Sequence, residues 1–380
     1  MGAVHKKKSC AIWEDFMENI VSYAEKQLET FDQRPFCPVD SLILSWAAYL
    51  HFPAASAEVY RWSGIRIAEL FRAEAFAELF AEMWDMEQSR RLFAALAASP
   101  RFRDVRVCGY IQKTDLEKEQ QFAAVLFRLN RNLSYVAFRG TDLSLVGWKE
   151  NFNMAFQCPV PSQEEARRYV AEAARYCEGG LLLGGHSKGG NLAVYAAAKS
   201  EAPVWERIVR VYSHDGPGFL EEVVRTEGLV RAAAKVDKTL PQASIVGLLL
   251  EQTGAYRVVK SKGISVWQHD PFTWFVDGTD FRYLEHLAPQ AEYFDRTLTD
   301  WLSQISDAER ERFVEALYGV LSSNEIERVT DFRSDWQTIV PAVMRSASQM
   351  DEDTRRFLLR TVRALAIQGV KNFKKSAEDE

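Results

Sequence analysis

The chain has 380 residues, with 47 Lys and Arg against 53 Asp and Glu and a formal net charge of −6. Hydrophobic residues make up 47% and charged residues 26%, which excludes disordered, collagen-like and low-complexity chains and leaves ample material for a large core. A mildly acidic chain lacks the basic face that nucleic-acid binding needs, so no nucleic-acid partner is expected.

Three textures follow one another. Residues 1–103 are rich in Ala, Leu, Glu, Phe and Trp, and are expected to form a helical region packing on the core. Asp40 is predicted to cap a helix over Ser41–His51, with Leu42, Trp46, Tyr49 and Leu50 on its apolar side. Ile65–Ala98 reads as a second helical stretch, closed by Pro100. Trp46, Tyr49, Trp62 and Trp84 suggest that these helices partly cover a functional site.

Residues 104–290 form the predicted core. Asp104–Gln112, Phe122–Leu129 and Leu133–Phe138 read as strands, with Arg131 and Asn132 in a turn. Gln163–Tyr176 reads as a helix, Leu181–Leu183 as a buried strand, Asn191–Lys199 as a small-residue helix and Ile208–Ser213 as a further strand. Gly263–Trp267 alternates like a strand. Strands alternating with helices imply crossovers and a mainly parallel sheet, hence an α/β fold. Residues 291–380 turn helical again. Asp351–Lys375 has acids at its start, lysines at its end and an apolar stripe at Leu358, Val362, Leu365 and Phe373.

Cys10, Cys37, Cys108, Cys158 and Cys177 are scattered and form no CxxC pair, so neither a zinc nor a redox motif is indicated. No metal or organic cofactor is expected. Met1–Cys10 lacks an apolar leader, and no apolar run approaches the roughly 18 residues of a membrane span. A cytoplasmic protein with reduced thiols and no transmembrane segment is expected, compatible with peripheral membrane contact. Oligomeric state leaves no signature.

Chemistry concentrates in Leu181–Ala198, LLLGGHSKGGNLAVYAAA. Gly185-His186-Ser187-Lys188-Gly189 satisfies G-x-S-x-G between an apolar strand and a helix. Such a junction needs a sharp turn that lifts the Ser187 hydroxyl clear of the sheet and aims a helix N-terminus at the reacting carbon. A glycine-rich turn with an incidental serine is the plainer reading, and a phosphate-binding turn is a second rival.

Together with Val136-Ala137-Phe138-Arg139-Gly140-Thr141-Asp142, this turn resembles the class 3 lipases, which are α/β-hydrolases. The phrases Gly147–Phe156, Gly184–Ala197, Asp215–Phe219 and Gln268–Trp274 are similar to a bacterial family of lipase-like α/β-hydrolases of no established substrate. The resemblance implies an α/β-hydrolase-like core, to which the helical texture of both ends adds. It also implies an oxyanion hole built after the Phe138 strand, here from Gly140 or Thr141 with the Lys188 N–H.

A serine needs a base, and the base an orienting acid. Among six histidines, elimination leaves His269 and His286, and His269 fits the chain order serine, acid, histidine. It also matches the class 3 histidine, a few residues before an aromatic. His186 is expected to point its ring elsewhere. Asp215 follows a strand end, where an acid belongs, although Asp-Gly is also a common turn. Class 3 lipases take their acid from a later segment, matched here by Ser244-Ile245-Val246-Gly247 with serine in place of aspartate. Asp237 and Asp270 are alternatives. Asp142 and Asn151 are expected to hold the Gly140 loop, Arg139 to form a structural ion pair, and the Lys188 side chain to face solvent. Trp148, Phe272 and Trp274 are candidates for an apolar acyl pocket, with core packing as the default.

Two functions fit. One is a serine hydrolase acting on a small-molecule or lipid ester through an acyl-enzyme. The other is a catalytically inactive hydrolase-fold protein that binds a partner.

Overall fold

The computed structural model describes residues 18–142, 145–263, 265–302 and 304–322, with Glu352 and Arg356. The predicted helix Asp351–Lys375 lies outside the described residues, apart from those last two.

Local sequence sets the first helices. Helix α1 (Ile20–Lys26) begins at Asn19, whose side chain accepts from the N–H groups of Val21 and Ser22 at 3.0 and 3.2 Å. Helix α2 (Pro38–Ala47) begins with proline, and the Asp40 carboxylate accepts from the Cys37 N–H at 2.9 Å. Asp40 thus lies within the first turn, not ahead of the helix as predicted. Its position is fixed by Arg101, which donates to both carboxylate oxygens at 2.8 and 2.6 Å with both side chains fully buried.

The predicted helix over Ile65–Ala98 is broken. Strand β1 (Ile65–Arg66) pairs with the sheet, two short helices follow, and only helix α3 (Met86–Ala98) is long. Asp85 starts α3 by accepting from the Gln88 N–H at 3.0 Å. The intervening chain doubles back because Phe71, Phe76, Phe80 and Phe93 cluster, with ring centroids 4.9 to 6.0 Å apart.

The core then builds in order. Strands β2 (Arg106–Asp115), β3 (Gln120–Arg128) and β4 (Leu133–Phe138) form an antiparallel meander. Helices α4 (Leu145–Asn153) and α5 (Pro161–Tyr176) lead to β5 (Gly180–His186), α6 (Lys188–Ala198) and β6 (Ile208–His214). Strands β7 (Val236–Pro241) and β8 (Tyr256–Val259) extend the sheet. A small hairpin, β9 (Val276–Asp277) with β10 (Asp280–Phe281), precedes β11 (Tyr283–Leu284), and α7 (Pro289–Leu302) and α8 (Asp307–Ser322) follow.

The nine-stranded sheet runs β1-β2-β3-β4-β5-β6-β7-β8-β11. Its centre, β4 to β8, is parallel, and antiparallel strands flank it on both sides. The two faces carry separate apolar layers, as strand alternation requires. Tyr135, Ala137 and Leu182 pack under α1, α2 and α3, whereas Val136, Phe138, Leu181 and Leu183 pack under α5 and α6. This is an α/β-hydrolase-like arrangement.

Gly263–Trp267 is not a strand. Ser265–His269 forms a 3₁₀ turn, and Gly263 adopts a φ of 85°. Gln268 holds the turn through side-chain bonds to Ala243 N, Ser261 Oγ and the Gly263 carbonyl. At the other end, Lys149 pairs with Glu119 and Glu315, tying α8 to α4 and the β2–β3 turn. Cys37, Cys108, Cys158 and Cys177 are free thiols. Among the described residues, no helix is long and apolar enough to cross a membrane.

The Arg101–Asp40 pair gives a stability test. Arg101→Met leaves a buried carboxylate without its cation, and urea denaturation should show a loss of about 3–5 kcal/mol.

Candidate functional site

The sequence-predicted residues hang from the carboxyl edge of the parallel block. Strand β5 ends at His186 and α6 begins at Lys188, so Ser187 alone makes the turn. Its backbone takes φ 58° and ψ −134°, a strained conformation for a residue with a Cβ. Glycine makes the turn sterically feasible. A Cβ on Gly185 would strike the Gly189 backbone, and one on Gly189 would strike the Phe138 carbonyl. The Ser187 N–H donates to the His214 carbonyl at 2.9 Å, fixing the turn to β6.

Strand β6 ends at His214, and Asp215 follows with a second non-glycine positive φ, 50°. Its side chain is buried. Oδ2 meets His269 Nδ1 at 2.6 Å, and Oδ1 accepts from Ser244 Oγ at 2.5 Å and the Gly247 N–H at 3.0 Å. Ser244 thus supports the carboxylate from the loop after β7. The alternatives are engaged elsewhere. Asp237 takes both oxygens to Arg257, and Asp270 accepts from the Phe272 N–H. Burial pushes the Asp270 carboxyl up to about 6.

His269 is a quarter exposed. Its ring lies against His186, centroids 4.4 Å apart, and its carbonyl accepts from His186 Nε2 at 2.8 Å. His186 therefore does not point away from the site, as the sequence suggested, but braces the loop that carries His269. Burial drives its ring well below the ordinary histidine range, so it is neutral. Among the described residues, neither Ser187 Oγ nor His269 Nε2 makes a hydrogen bond.

Around Ser187, the Lys188 N–H opens α6, where no intrahelical acceptor exists. The Gly140 backbone abuts Ser187, and Thr141 Oγ1 is buried without a partner. Arg139 is buried and faces Asp142 at 3.7 Å, while the Asp142 N–H donates to Gln121 Oε1. Asn151 Oδ1 is also buried without a partner.

One expectation is corrected. The Lys188 side chain does not face solvent. It is fully buried, donating to Glu150 Oε2 at 2.8 Å and the Gln121 carbonyl at 2.7 Å. Glu150 also accepts from Gln121 N, Ser162 N and Ser162 Oγ, so the buried charge is paired and saturated. Trp274 packs in the core. It is fully buried against His214 and Phe281, with Nε1 donating to the Gln268 carbonyl at 2.8 Å. Phe272 is buried edge-on to Trp46, centroids 5.4 Å apart. The Trp148 side chain lies outside the described residues.

Sequence reasoning did not find the contributions of Tyr49, Lys238 and Gln268. Tyr49 Oη lies 3.3 Å from His186 Nδ1. Lys238, buried on β7, donates to the Gly247 carbonyl at 3.0 Å and to Gln252. Burial pushes its ammonium down to about 7, opposed by the Asp215 charge. Trp62 instead packs on Tyr169 and Tyr176 of α5, on the opposite face of the sheet.

Residues 96–319, more than half of the chain, match one known family. The chain belongs to the Mbeg1-like family. The matched span includes Thr141, Ser187, Asp215 and His269, and leaves out α1 and α2 with Trp46 and Tyr49. No curated protein matches the chain. Among solved structures, a fungal lipase–inhibitor complex described as a model for interfacial activation is 14% identical, with a TM-score of 0.35, covering 67% of this chain and 92% of that one. The Rhizomucor miehei lipase propeptide complex is 12% identical at the same TM-score of 0.35, covering 77% and 80% respectively.

His214 makes the site's pH response testable. Its buried ring bonds Thr239 Oγ1 and Ser41 Oγ, and burial lowers its pKa to about 3. Unfolding restores an ordinary value of about 6.5. Between these values the unfolded chain binds more protons, so stability falls as pH drops from about 6.5 toward 3. Urea denaturation should give a lower stability at pH 5 than at pH 7, and His214→Gln should shrink that difference.

Proposed function

We propose that the protein is a serine hydrolase that cleaves an acyl ester, with Ser187 as nucleophile, His269 as base and Asp215 as orienting acid. The observation that carries this reading is the 2.6 Å bond between His269 Nδ1 and a buried Asp215, at the same sheet edge as a serine in a strained strand–helix turn. Membership of the Mbeg1-like family and the resemblance of the Gly185–Gly189 turn and Val136–Asp142 to class 3 lipases are consistent with it.

The chemistry follows from the donors and acceptors. Asp215 accepts a hydrogen bond from Nδ1–H, which leaves Nε2 of His269 as the base. Ser187 Oγ adds to the ester carbonyl carbon while Nε2 takes its proton. The carbonyl oxygen becomes an alkoxide, stabilised by the Lys188 N–H and by the Gly140–Thr141 segment. His269 returns the proton to the leaving alcohol, and the acyl group stays on Ser187. Water, deprotonated by the same imidazole, releases the acid and restores the serine. An alcohol in place of water would make the protein an acyltransferase.

The rival reading is a hydrolase-fold binding protein without chemistry. In its favour, no hydrogen bond joins Ser187 Oγ to His269 Nε2. Serine-site contacts are often loose before substrate binds, so this weighs less than the ordered acid–imidazole pair.

A fluorophosphonate probe distinguishes the two. Wild-type protein should be labelled at neutral pH and Ser187→Ala should not. His269→Ala and Asp215→Asn should slow labelling on the order of a hundredfold or more, with little change in urea stability. Folded wild-type protein that takes no label would leave the binding reading in place.

A further inference from the structure

Tyr49 follows α2 and carries its hydroxyl to the carboxyl edge of the sheet. Its oxygen and Ser187 Cβ both lie within 3.0 Å of the point where a Cβ on Gly140 would stand. Phenol and serine therefore share the small volume over Gly140. An acyl oxygen facing the Lys188 N–H has to sit beside that volume.

The hydrogen-bond pattern fixes the direction of the Tyr49 O–H. The His269 carbonyl is only an acceptor, so His186 Nε2 carries a proton and donates to it at 2.8 Å. The neutral ring then presents Nδ1 as an acceptor, and Tyr49 donates to it at 3.3 Å. The other acceptor in reach, the His186 carbonyl, lies at 3.5 Å. Both distances are long for an O–H donor. Burial also raises the phenol well above its ordinary range, against the opposing effects of Arg139 and the Gly140 backbone, so the proton stays on oxygen. A half-buried, protonated and weakly engaged donor thus stands next to the reactive serine.

We propose that Tyr49 is a further catalytic residue, whose O–H donates to the carbonyl oxygen as Ser187 Oγ adds to the carbon. This rests on the hydrolase reading above. No proton changes hands. The O–H···O bond strengthens as the C=O π pair moves onto oxygen, and weakens when the carbonyl reforms and the alcohol departs with the proton from His269. The donor comes from the turn after α2, outside the span that defines the family.

The test compares wild type with Tyr49→Phe, which keeps the ring and removes only the hydroxyl. The rate of fluorophosphonate labelling and the hydrolysis of 4-nitrophenyl butyrate are followed against pH, with urea denaturation as the fold control. Loss of one donor should lower kcat and the labelling rate about a hundredfold, with KM and the pH profile unchanged. Wild-type or faster rates in Tyr49→Phe overturn the proposal. A loss that appears as a shifted pH profile also overturns it, because the hydroxyl would then act through His186 and His269. Wild-type protein that takes no label removes the hydrolase reading and this inference together. A labelled wild type with an unaffected Tyr49→Phe removes this inference alone.

Discussion

A strand that passes into a helix through one residue forces the helix back across the strand it came from. At Ser187 this crossing is tight enough for the Gly189 backbone to rest on the Phe138 carbonyl. The contact does more than permit the turn. It fixes the end of β4 relative to the start of α6, so the Gly140 segment and the Lys188 N–H converge on Ser187 as a consequence of packing. The strain at Ser187 is held by the bond from its N–H to His214 and by the burial of α6 under two strands' worth of apolar side chains.

The same edge places a second unusual backbone at Asp215, and the burial there has to be matched by donors. Ser244 and Gly247 occupy Oδ1, which leaves Oδ2 for one imidazole nitrogen. Partition of the two oxygens orients His269 more firmly than a single contact would. Lys238 supports the arrangement from beneath by holding the Gly247 carbonyl. Another buried cation, Lys188, is satisfied on the far side by Glu150, so its side chain is tied away from the serine that its own N–H faces. Backbone and side chain of one residue thus serve different ends.

The legible parts of the sequence were those decided over short distances. Strand β4 begins and ends where alternation put it, and α5, β5, α6 and β6 shift only by a few residues at their ends. The Gly185–Gly189 turn was readable because close backbone approach leaves glycine little competition. Ile65–Ala98 misled because its helix formers are overruled by aromatic clustering and by pairing of Ile65 and Arg66 with β2. Asp40 looked like a cap because nothing local announces that Arg101, 61 residues later, claims it. Lys188 misled for a related reason: a cation reads as surface until a distant Glu150 satisfies it. The pairing of Asp215 with His269 spans 54 residues and rested on chain order, elimination and a strand end rather than on any local pattern.

His186 shows why the helical start of the chain matters to the site. It is the residue before the elbow, so its backbone position is set by β5. Its ring is neutral, and its two nitrogens face two other parts of the molecule, the His269 carbonyl and the Tyr49 hydroxyl. Trp46 and Phe272 close around these contacts, with Trp46 edge-on to both the His186 and Phe272 rings. Removing α2 would strip the cover from this ring and restore water to the Nδ1 side, while the Asp215–His269 pair and the strained turn would keep their own donors. The core of the hydrolase arrangement is therefore built within residues 96–319, whereas the dielectric around its histidines is set by a helix outside that span.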